Sequence, residues 1–238
     1  MNFRLKRYRK DYSYSYANGV FSTIELLNTH PDHTVKVLIS SSGERNEGIL
    51  KITELCKEHG VPVEINDRTI ERISLAGKHL SIGIFNKYKS SIGPDNNHMV
   101  IVNPGDMGNI GAIARTMAGF GLNNLALIRP AVDCFDPRVV RASMGAVFHL
   151  NIEYFDSIKE YQGLFGNNLY LFKTGKNDDI RETRFEKPYS LVFGNESSGL
   201  PDDIRVEGKT VTIPQNGKID SLNLSVAAGI AIYESSRF

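Results

Sequence analysis

The chain has 238 residues, of which 41% are hydrophobic and 23% charged, and its formal net charge is +1 at pH 7. These values are typical of a soluble globular protein with one large or two small domains, and the charge alone indicates no nucleic-acid partner. No apolar run approaches the roughly 20 residues of a membrane span, and the basic start lacks the apolar segment of a secretory signal. Cys56 and Cys134 fit no metal-binding spacing. We therefore expect a reduced, cytoplasmic protein without structural zinc.

The first residues of the chain are basic, and three tyrosines follow them. The cations are Arg4, Lys6, Arg7, Arg9 and Lys10, and the rings belong to Tyr12, Tyr14 and Tyr16. Cations that meet phosphates and rings that stack on bases are typical of a nucleic-acid-binding surface. The alternative is a solvated basic start whose tyrosines pack onto the domain.

Helix and strand patterns alternate through the first part of the chain. Helical spacing covers residues 19–27, 49–59 and 69–75, and strand patterns cover 35–39, 61–65 and 82–85. This alternation predicts a small α/β domain over residues 1–88. Residues 89–97, which are rich in Ser, Gly, Pro and Asn, are predicted to form a linker.

From residue 98 onward, apolar strands alternate with glycine-rich polar loops. We predict strands at residues 99–102, 125–128, 169–173, 190–193 and 211–213, and a helix at 112–118. Arg138 and Arg141 are predicted on a loop that leads into a helix, where they either bind a phosphate or form surface ion pairs. A last helix follows residue 213, and either Asp220 or Ser221 is a candidate for its N-cap.

Three of these loops carry side chains that are suited to one site. The loops contribute Asn109, Arg115, Asn195, Glu196, Ser221 and Asn223. If the strands are parallel, all three loops emerge at the same edge of the sheet. The set lacks a metal cage and a Ser-His-Asp triad, and the chain has no G-x-G-x-x-G or Walker lysine. It predicts a glycine-lined pocket for a neutral or cationic cofactor, with an arginine, a serine and amides that orient a hydroxyl.

The same loops resemble the three motifs of the SpoU/TrmH family of RNA ribose 2′-O-methyltransferases, which belong to the SPOUT class. The motifs read N-I-G-A-I-A-R-T (109–116), L-V-F-G-N-E-S-S-G-L (191–200) and I-P…D-S-L-N-L-S-V-A-A (213–228). They occur in the family's order across residues 98–238, and the run R-A-S-M-G-A-V-F-H-L (141–150) also matches. The first part, with G-V-F-S-T-I-E-L-L at 19–27, resembles the ribosomal-protein-like RNA-binding domain of many members.

The resemblance implies an α/β fold whose C-terminal segment is threaded into a trefoil knot, an exception to the rule against knots. It implies a homodimer with the active site near the interface, S-adenosylmethionine as cofactor, and no metal. The cofactor contacts would be Thr174, Gly175, Gly194, Asn195, Ile213, Leu222 and Asn223. The RNA contacts would include Arg4, Lys6, Arg7, Arg9, Arg138 and Arg141. The sequence departs from the family's pattern at two places, and both affect the shape of a loop. Extra residues precede Asn109 in the first loop, and the second loop has Ser197-Ser198 where small or acidic residues are frequent.

The implied reaction is methyl transfer to a ribose 2′-hydroxyl of rRNA or tRNA. The resemblance makes Arg115 catalytic, with Asn109, Glu196, Ser221 and Asn223 holding the ribose, the cofactor and the arginine in register. A guanidinium is a poor proton acceptor, so we expect Arg115 to bind the neighbouring phosphate and stabilise the developing alkoxide. Two competing interpretations are an RNA-binding protein that has lost catalysis and an ordinary doubly wound nucleotide-binding enzyme.

Overall fold

The computed structural model of the chain describes residues 5–43, 46–74, 77–175, 177–201, 204 and 206–237. The chain divides into two compact units. Unit 1 comprises Met1–Tyr88 with Asp133–His149, and unit 2 comprises Lys89–Val132 with Leu150–Phe238. Unit 1 is therefore built from two separate stretches of the sequence.

The strands and helices alternate along most of the chain. The strands are β1 (Tyr14–Asn18), β2 (Thr34–Ile39), β3 (Val63–Ile65), β4 (Ser81–Asn86), β5 (His98–Val102), β6 (Asn124–Ile128), β7 (Asn151–Phe155), β8 (Asn168–Phe172), β9 (Asp178–Asp179), β10 (Tyr189–Phe193) and β11 (Lys209–Thr212). The helices are α1 (Val20–Thr29), α2 (Glu47–His59), α3 (Asp67–Ile73), α4 (Met107–Gly119), α5 (Pro137–Ala142), α6 (Ile158–Leu164) and α7 (Leu224–Ser235). Short 3₁₀ turns occupy Pro31–His33, Ser41–Gly43 and Ala146–His149.

Unit 1 contains a four-stranded mixed sheet in the order β1-β4-β2-β3. β4 runs antiparallel to both of its neighbours, and β3 runs parallel to β2. Tyr14 and Tyr16 lie in β1 with only 6% and 0% of their surface exposed. Because alternate residues of a strand share a face, both rings enter the core together with Ile82 and Ile84 of β4. These two tyrosines therefore pack onto the domain and form no open stacking surface.

The segment 133–149 completes unit 1. The Asp133 carboxylate accepts hydrogen bonds from the Tyr8 hydroxyl at 2.5 Å and from the Lys87 ammonium at 2.7 Å. The Phe148 ring meets Phe85 of β4 edge to face, with 5.2 Å between the ring centroids. The Phe148 carbonyl oxygen lies 2.9 Å from Nε2 of His30. Aromatic packing and buried polar contacts therefore hold this segment against the four-stranded sheet.

Unit 2 is organised around a seven-stranded sheet in the order β7-β6-β5-β10-β8-β11-β9. Each neighbouring pair in this order is parallel. The five strands predicted from residue 98 onward are confirmed, with ends shifted by one or two residues. Parallel strands place their carboxyl ends at one edge, so the loops after β5, β8, β10 and β11 emerge side by side.

The opposite edge of this sheet is closed by a buried polar network. His98, at the start of β5, is fully buried. Its Nδ1 lies 2.6 Å from the Tyr161 hydroxyl, which lies 2.7 Å from the Ser190 hydroxyl, and its Nε2 lies 2.8 Å from the Gly93 carbonyl oxygen. Burial lowers the pKa of His98, so the neutral ring fits here with Nε2–H donating to Gly93. This network links β5, β10 and α6.

Several boundaries differ from those predicted. α4 begins at Met107 rather than residue 112, because the Asp106 side chain caps the glycine-rich stretch and makes it helical. α3 ends at Ile73, and Leu75, the last residue of the predicted helix, lies outside the described residues. β1, β7, β9 and α6 had no predicted counterpart. Among the described residues, no helix is long and apolar enough to cross a membrane.

Candidate active site

The loop after β5 is fixed by the start of α4. Asp106 is the N-cap of α4, and its Oδ1 accepts a hydrogen bond from the Asn109 backbone N–H at 2.7 Å. Such caps satisfy donors that the helix itself leaves unpaired. Asn109 therefore lies in the first turn of a helix rather than in a flexible loop, and its amide is held at the carboxyl edge of the sheet.

The Glu196 carboxylate joins the loop after β10 to the loop after β5. Its Oε2 accepts from the Gly105 backbone N–H at 3.2 Å, and its Oε1 accepts from the Asp106 backbone N–H at 3.1 Å. Side-chain amides of Asn109 and Asn195 donate to the same carboxylate at 3.5 and 3.3 Å. Hydrogen bonds to an ionised acceptor are stronger than neutral ones, so Glu196 acts as a clamp between two of the three motif loops.

Asn223 brings in the third motif loop. It is the N-cap of α7, with its Oδ1 accepting from the backbone N–H groups of Ser225 at 2.9 Å and Val226 at 3.4 Å. Its Nδ2 donates to Oδ1 of Asn109 at 3.0 Å. The cap is therefore Asn223, and neither Asp220 nor Ser221 caps α7. An unbroken series of hydrogen bonds connects Asn223, Asn109 and Glu196.

The loop after β10 turns so tightly that its first residue must be glycine. A Cβ atom on Gly194 would lie 2.0 Å from the carbonyl carbon of Gly199. The turn is closed by two backbone hydrogen bonds between Asn195 and Gly199, at 3.1 and 2.9 Å. The Asn195 side chain accepts from the backbone N–H groups of Ser197 and Ser198 at 2.9 and 3.3 Å. The two serines thus fit this turn through their backbones.

The loops after β8, β10 and β11 border a cavity of about 400 Å³ at the carboxyl edge of the sheet. Phe172 and Phe193, at the ends of β8 and β10, stack with 4.4 Å between their ring centroids and line it. Its wall is lined by Lys173, Thr174, Gly194, Asn195, Glu196, Ser197, Ser198, Gly199, Leu200, Thr212, Ile213, Gln215, Asp220, Ser221, Leu222, Leu224 and Ala227. The cavity combines apolar rings, backbone groups and two carboxylates, an arrangement suited to a small organic ligand.

Most of the predicted cofactor residues line this cavity. Those present are Thr174, Gly194, Asn195, Ile213 and Leu222, together with Glu196 and Ser221 from the predicted catalytic set. Gly175, Asn109 and Asn223 do not line it, although the last two are joined to its wall through Glu196. Arg115 lies exposed on α4 and does not line the cavity of its own chain.

The predicted RNA-contact residues that the structure describes belong to unit 1. Arg4 lies outside the described residues. Lys6, Arg7, Arg9, Arg138 and Arg141 are exposed. Arg138 and Arg141 lie within α5, not on a loop before a helix as predicted, because the Asp136 side chain caps the helix and Pro137 begins it. Arg138 forms a two-point pair with Asp136, at 2.9 and 2.7 Å, which raises the pKa of the Arg138 guanidinium. Arg9 pairs with Asp11 at 3.2 Å, and its guanidinium lies 5.9 Å from the Tyr12 ring centroid.

The sequence interpretation left several polar residues of the site unassigned, among them Asp106, Gln215 and Asp220, the last of which it considered only as an N-cap. Asp106 caps α4, and Gln215 and Asp220 line the cavity. The sequence did contain a signal for Asp106. An Asp three residues before Asn109 can serve as the N-cap of a helix and accept a hydrogen bond from the Asn109 backbone N–H at position N3. Gln215 and Asp220 lie in a loop without local periodicity. Within the described parts of the chain, no group of three His, Cys, Asp or Glu side chains is placed to hold a metal ion.

The chain resembles proteins of known class in sequence and structure. Residues 96–233 match the model of the SpoU rRNA Methylase family. An uncharacterized tRNA/rRNA methyltransferase of Archaeoglobus fulgidus is 33% identical over 207 residues, covering 84% of this chain and 91% of that protein. A 23S rRNA (uridine(2479)-2′-O)-methyltransferase of Streptomyces viridochromogenes is 33% identical over 144 residues, covering 56% of this chain and 50% of the other.

A solved structure covers both units. The crystal structure of an AdoMet-bound rRNA methyltransferase from Sinorhizobium meliloti superposes with a TM-score of 0.79 at 27% identity, covering 94% of this chain and 87% of that one. The similarity therefore extends beyond the segment that carries the three motifs.

The Glu196 clamp predicts a local effect of its removal. In Glu196→Ala, the Gly105 and Asp106 backbone N–H groups lose their acceptor, and we expect their hydrogen exchange to accelerate. The free energy of unfolding should fall by about 1–3 kcal/mol, less if water replaces the carboxylate. Exchange mass spectrometry and chemical denaturation measure both effects. Glu207→Ala, which removes an exposed carboxylate elsewhere in unit 2, is the control. Unchanged exchange at residues 105 and 106 would contradict the clamp.

Proposed function

Because the chain belongs to the SpoU rRNA methylase family, we propose that it transfers a methyl group from S-adenosylmethionine to a ribose 2′-hydroxyl of rRNA or tRNA. The observation that carries this proposal is the cavity at the carboxyl edge of the sheet, which the second and third motif loops line and to which the first motif loop is joined through Glu196. Parallel α/β sheets bind ligands at this edge. The Streptomyces relative is itself named a 2′-O-methyltransferase.

The cavity fits the cofactor in size and chemistry. Its volume of about 400 Å³ lies within the ordinary range for small-molecule pockets. Gly194 lets the loop after β10 turn back on itself, which brings the backbone of residues 194–199 into the cavity wall. The apolar side chains of Phe193, Leu200 and Leu222 suit a flat base, and the carboxylates of Glu196 and Asp220 complement a cationic ligand.

The residues of the chain then have separate tasks in the reaction. When bound, S-adenosylmethionine supplies a methyl group on a cationic sulfur that needs no metal to activate it. Ser221, exposed at the cavity wall, orients the ribose, and Asn109 and Asn223 hold the motif loops in register through their shared hydrogen bond. Alignment of the reacting atoms contributes several kcal/mol to such reactions.

We place Arg115 at the phosphate beside the reacting ribose, where it stabilises the developing alkoxide. The part of the chain that the structure describes contains no ion-pair partner for Arg115, so its guanidinium is available to an anion. Because Arg115 does not line the cavity of its own chain, we propose that it acts where two protomers meet.

A homodimer accounts for the surface of α7. Val226, Ile230 and Tyr233 follow one another at helical spacing, and Val226 and Tyr233 are 51% and 55% exposed. Tyr233 meets Phe120, at the end of α4, with 6.2 Å between the ring centroids, and Phe120 is 47% exposed. A helix that is apolar on all sides is normally buried on all sides. We propose that this stripe is covered by a second copy of the chain.

The finer architecture is also part of the proposal. We propose that the segment from β11 to α7 is threaded as a trefoil knot. This is supported by the sheet order, because β11 lies two strands away from β10 while α7 packs back against β10 and α4. We further propose that unit 1 binds the RNA substrate, with Lys6, Arg7 and Arg9 contacting its phosphates, and that the enzyme acts in the cytoplasm.

The function is tested by methyl transfer to RNA. Purified protein with labelled S-adenosylmethionine and deproteinised RNA from a deletion strain should yield 2′-O-methylated nucleosides, identified by mass spectrometry. Gly194→Ala should bind the cofactor about tenfold or more weakly in calorimetry, because its Cβ would displace the Gly199 backbone that forms part of the cavity wall. Gly163→Ala, where a Cβ meets nothing within 4 Å, is the matched control. Cofactor binding without methyl transfer to RNA would favour a protein that only binds RNA.

Arg115→Lys tests the phosphate-binding role. Lysine keeps the positive charge but loses the two-point geometry of the guanidinium, so we expect the methyl-transfer rate to fall on the order of 10²-fold. Cofactor affinity should stay at the wild-type value, since in this proposal Arg115 contacts the RNA phosphate and not the cofactor. Retention of most of the activity would show that guanidinium geometry is not needed.

Val226→Arg tests the dimer. A charge in the exposed stripe of α7 should yield monomers in analytical ultracentrifugation and abolish methyl transfer. Leu164→Arg, at a position that is 62% exposed on α6, should remain dimeric and active. A monomeric wild-type protein, or an active monomeric variant, would refute the proposed interface.

A further inference from the structure

Unit 1 has two outer layers, one on each face of its four-stranded sheet. On one face, Val37 and Ile39 of β2 pack with residues of α1 and α2. On the other face, Leu38 of β2 and Tyr16 of β1 pack with residues of α3 and of the segment 5–12. Because successive residues of a strand point to opposite faces, these contacts define two separate layers.

The two layers differ in charge. In the layer formed by residues 5–12 and α3, which we call the cationic layer, six cations stand against three carboxylates. The cations are Lys6, Arg7, Arg9, Lys10, Arg68 and Arg72, and the carboxylates are Asp11, Asp67 and Glu71. The layer formed by α1 and α2 has the cations Lys51 and Lys57 and the carboxylates Glu25, Glu47, Glu54 and Glu58. The charge balance favours a polyanion on the cationic layer and disfavours one on the other.

The two elements of the cationic layer touch each other through their arginines. Nε of Arg7 donates a hydrogen bond to the Arg72 carbonyl oxygen at 3.3 Å, so the segment 5–12 reaches the last turn of α3. The Tyr16 hydroxyl donates to the Lys6 carbonyl oxygen and fixes the same segment to the sheet. Lys6, Arg7, Arg68 and Arg72 are all exposed. The cations of the two elements therefore belong to one continuous surface.

α3 itself places two like charges one turn apart. Ile70 and Ile73 are buried, whereas Arg68 and Arg72, four residues apart, share an exposed side of the helix. Two like charges at this spacing destabilise a helix unless an anion lies between them. Exposed arginines at this spacing are therefore an arrangement that a bound anion stabilises.

The carboxylates of the cationic layer do not neutralise these charges. Asp67 accepts hydrogen bonds from the Ser40 and Ser41 hydroxyls at 2.7 and 2.6 Å. Asp11 pairs with Arg9 at 3.2 Å. Across the ranges that the structure describes, no ion pair involves Lys6, Arg68 or Arg72. These three cations are therefore available to phosphates.

We propose that α3 binds the backbone of the substrate RNA, with Arg68 and Arg72 contacting phosphates next to those contacted by Lys6 and Arg7. The RNA then lies along the cationic layer and not over α1 and α2. Phosphate contacts position a nucleic acid without reading its sequence. The inference rests on the proposed function and extends the RNA surface of unit 1 from the segment 5–12 to a helix of its own.

Arg68→Ala and Arg72→Ala test the two phosphate contacts. Full-length protein is titrated with deproteinised rRNA and, separately, with bulk tRNA over a series of KCl concentrations. Each variant should bind both RNAs more weakly, and its slope of log affinity against log salt concentration should be smaller by about 1, because one phosphate contact is lost. In methyl transfer, KM for RNA should rise while kcat stays at the wild-type value. Cofactor affinity and melting temperature should not fall, since the Arg72 carbonyl that Arg7 binds is kept.

Lys51→Ala and Lys57→Ala, which remove exposed cations from α2 in the other layer, are the matched controls and should keep the wild-type slope. An unchanged slope in both α3 variants, or an equal decrease in the α2 variants, overturns the inference. If the α3 variants alone lower the slope but no methyl transfer occurs, the inference holds and the proposed function fails. If methyl transfer occurs and the α3 variants bind RNA with the wild-type slope, the proposed function holds and the inference fails.

Discussion

The carboxylate of Glu196 accepting two backbone N–H groups from the loop after β5 is the interaction on which the site depends. Those donors lie at Gly105 and Asp106, where the chain leaves the sheet and has not yet entered α4. Without an acceptor, both would need water, and the loop would have no fixed distance from β10. With Glu196 as the acceptor, Asn109 is positioned so that its Oδ1 accepts a hydrogen bond from Nδ2 of Asn223. Side-chain hydrogen bonds from Asn223 to Asn109 and from Asn109 to Glu196 therefore connect the start of α7 to the loop after β10, a central strand of the sheet.

The convergence of the three loops could be predicted from the sequence because it follows from topology. Strands that alternate with helices run parallel, and parallel strands release their loops at one edge. The local form of the loops was harder to predict. The helix was predicted to begin only at residue 112, but the cap at Asp106 makes the chain helical from Met107 onward, through Gly108 and Gly111. A single side-chain hydrogen bond thus outweighed the low helix propensity of glycine.

The extent of unit 1 could not be predicted from the sequence, because no local pattern marks residues 133–149 as part of it. Their apolar side chains, such as Val139 and Phe148, would suit the core of either unit. The contacts that decide the matter, from Asp133 to Lys87 and from Phe148 to Phe85, join residues far apart in the chain. Likewise, the spacing of Tyr14 and Tyr16 fits either an RNA-facing row or one face of a strand, and only their burial in the structure decides between the two.

The discontinuity of unit 1 also constrains how the protein is made. Synthesis proceeds from the N-terminus, so the four strands of the small sheet leave the ribosome well before Asp133–His149. Until that segment arrives, Phe85 lacks the Phe135 and Phe148 rings that pack against it. The segment emerges only after β5 and β6, which belong to the other sheet. Unit 1 therefore cannot complete its packing until β5 and β6 of the other sheet have left the ribosome, and until then the nascent chain carries an unfinished apolar surface.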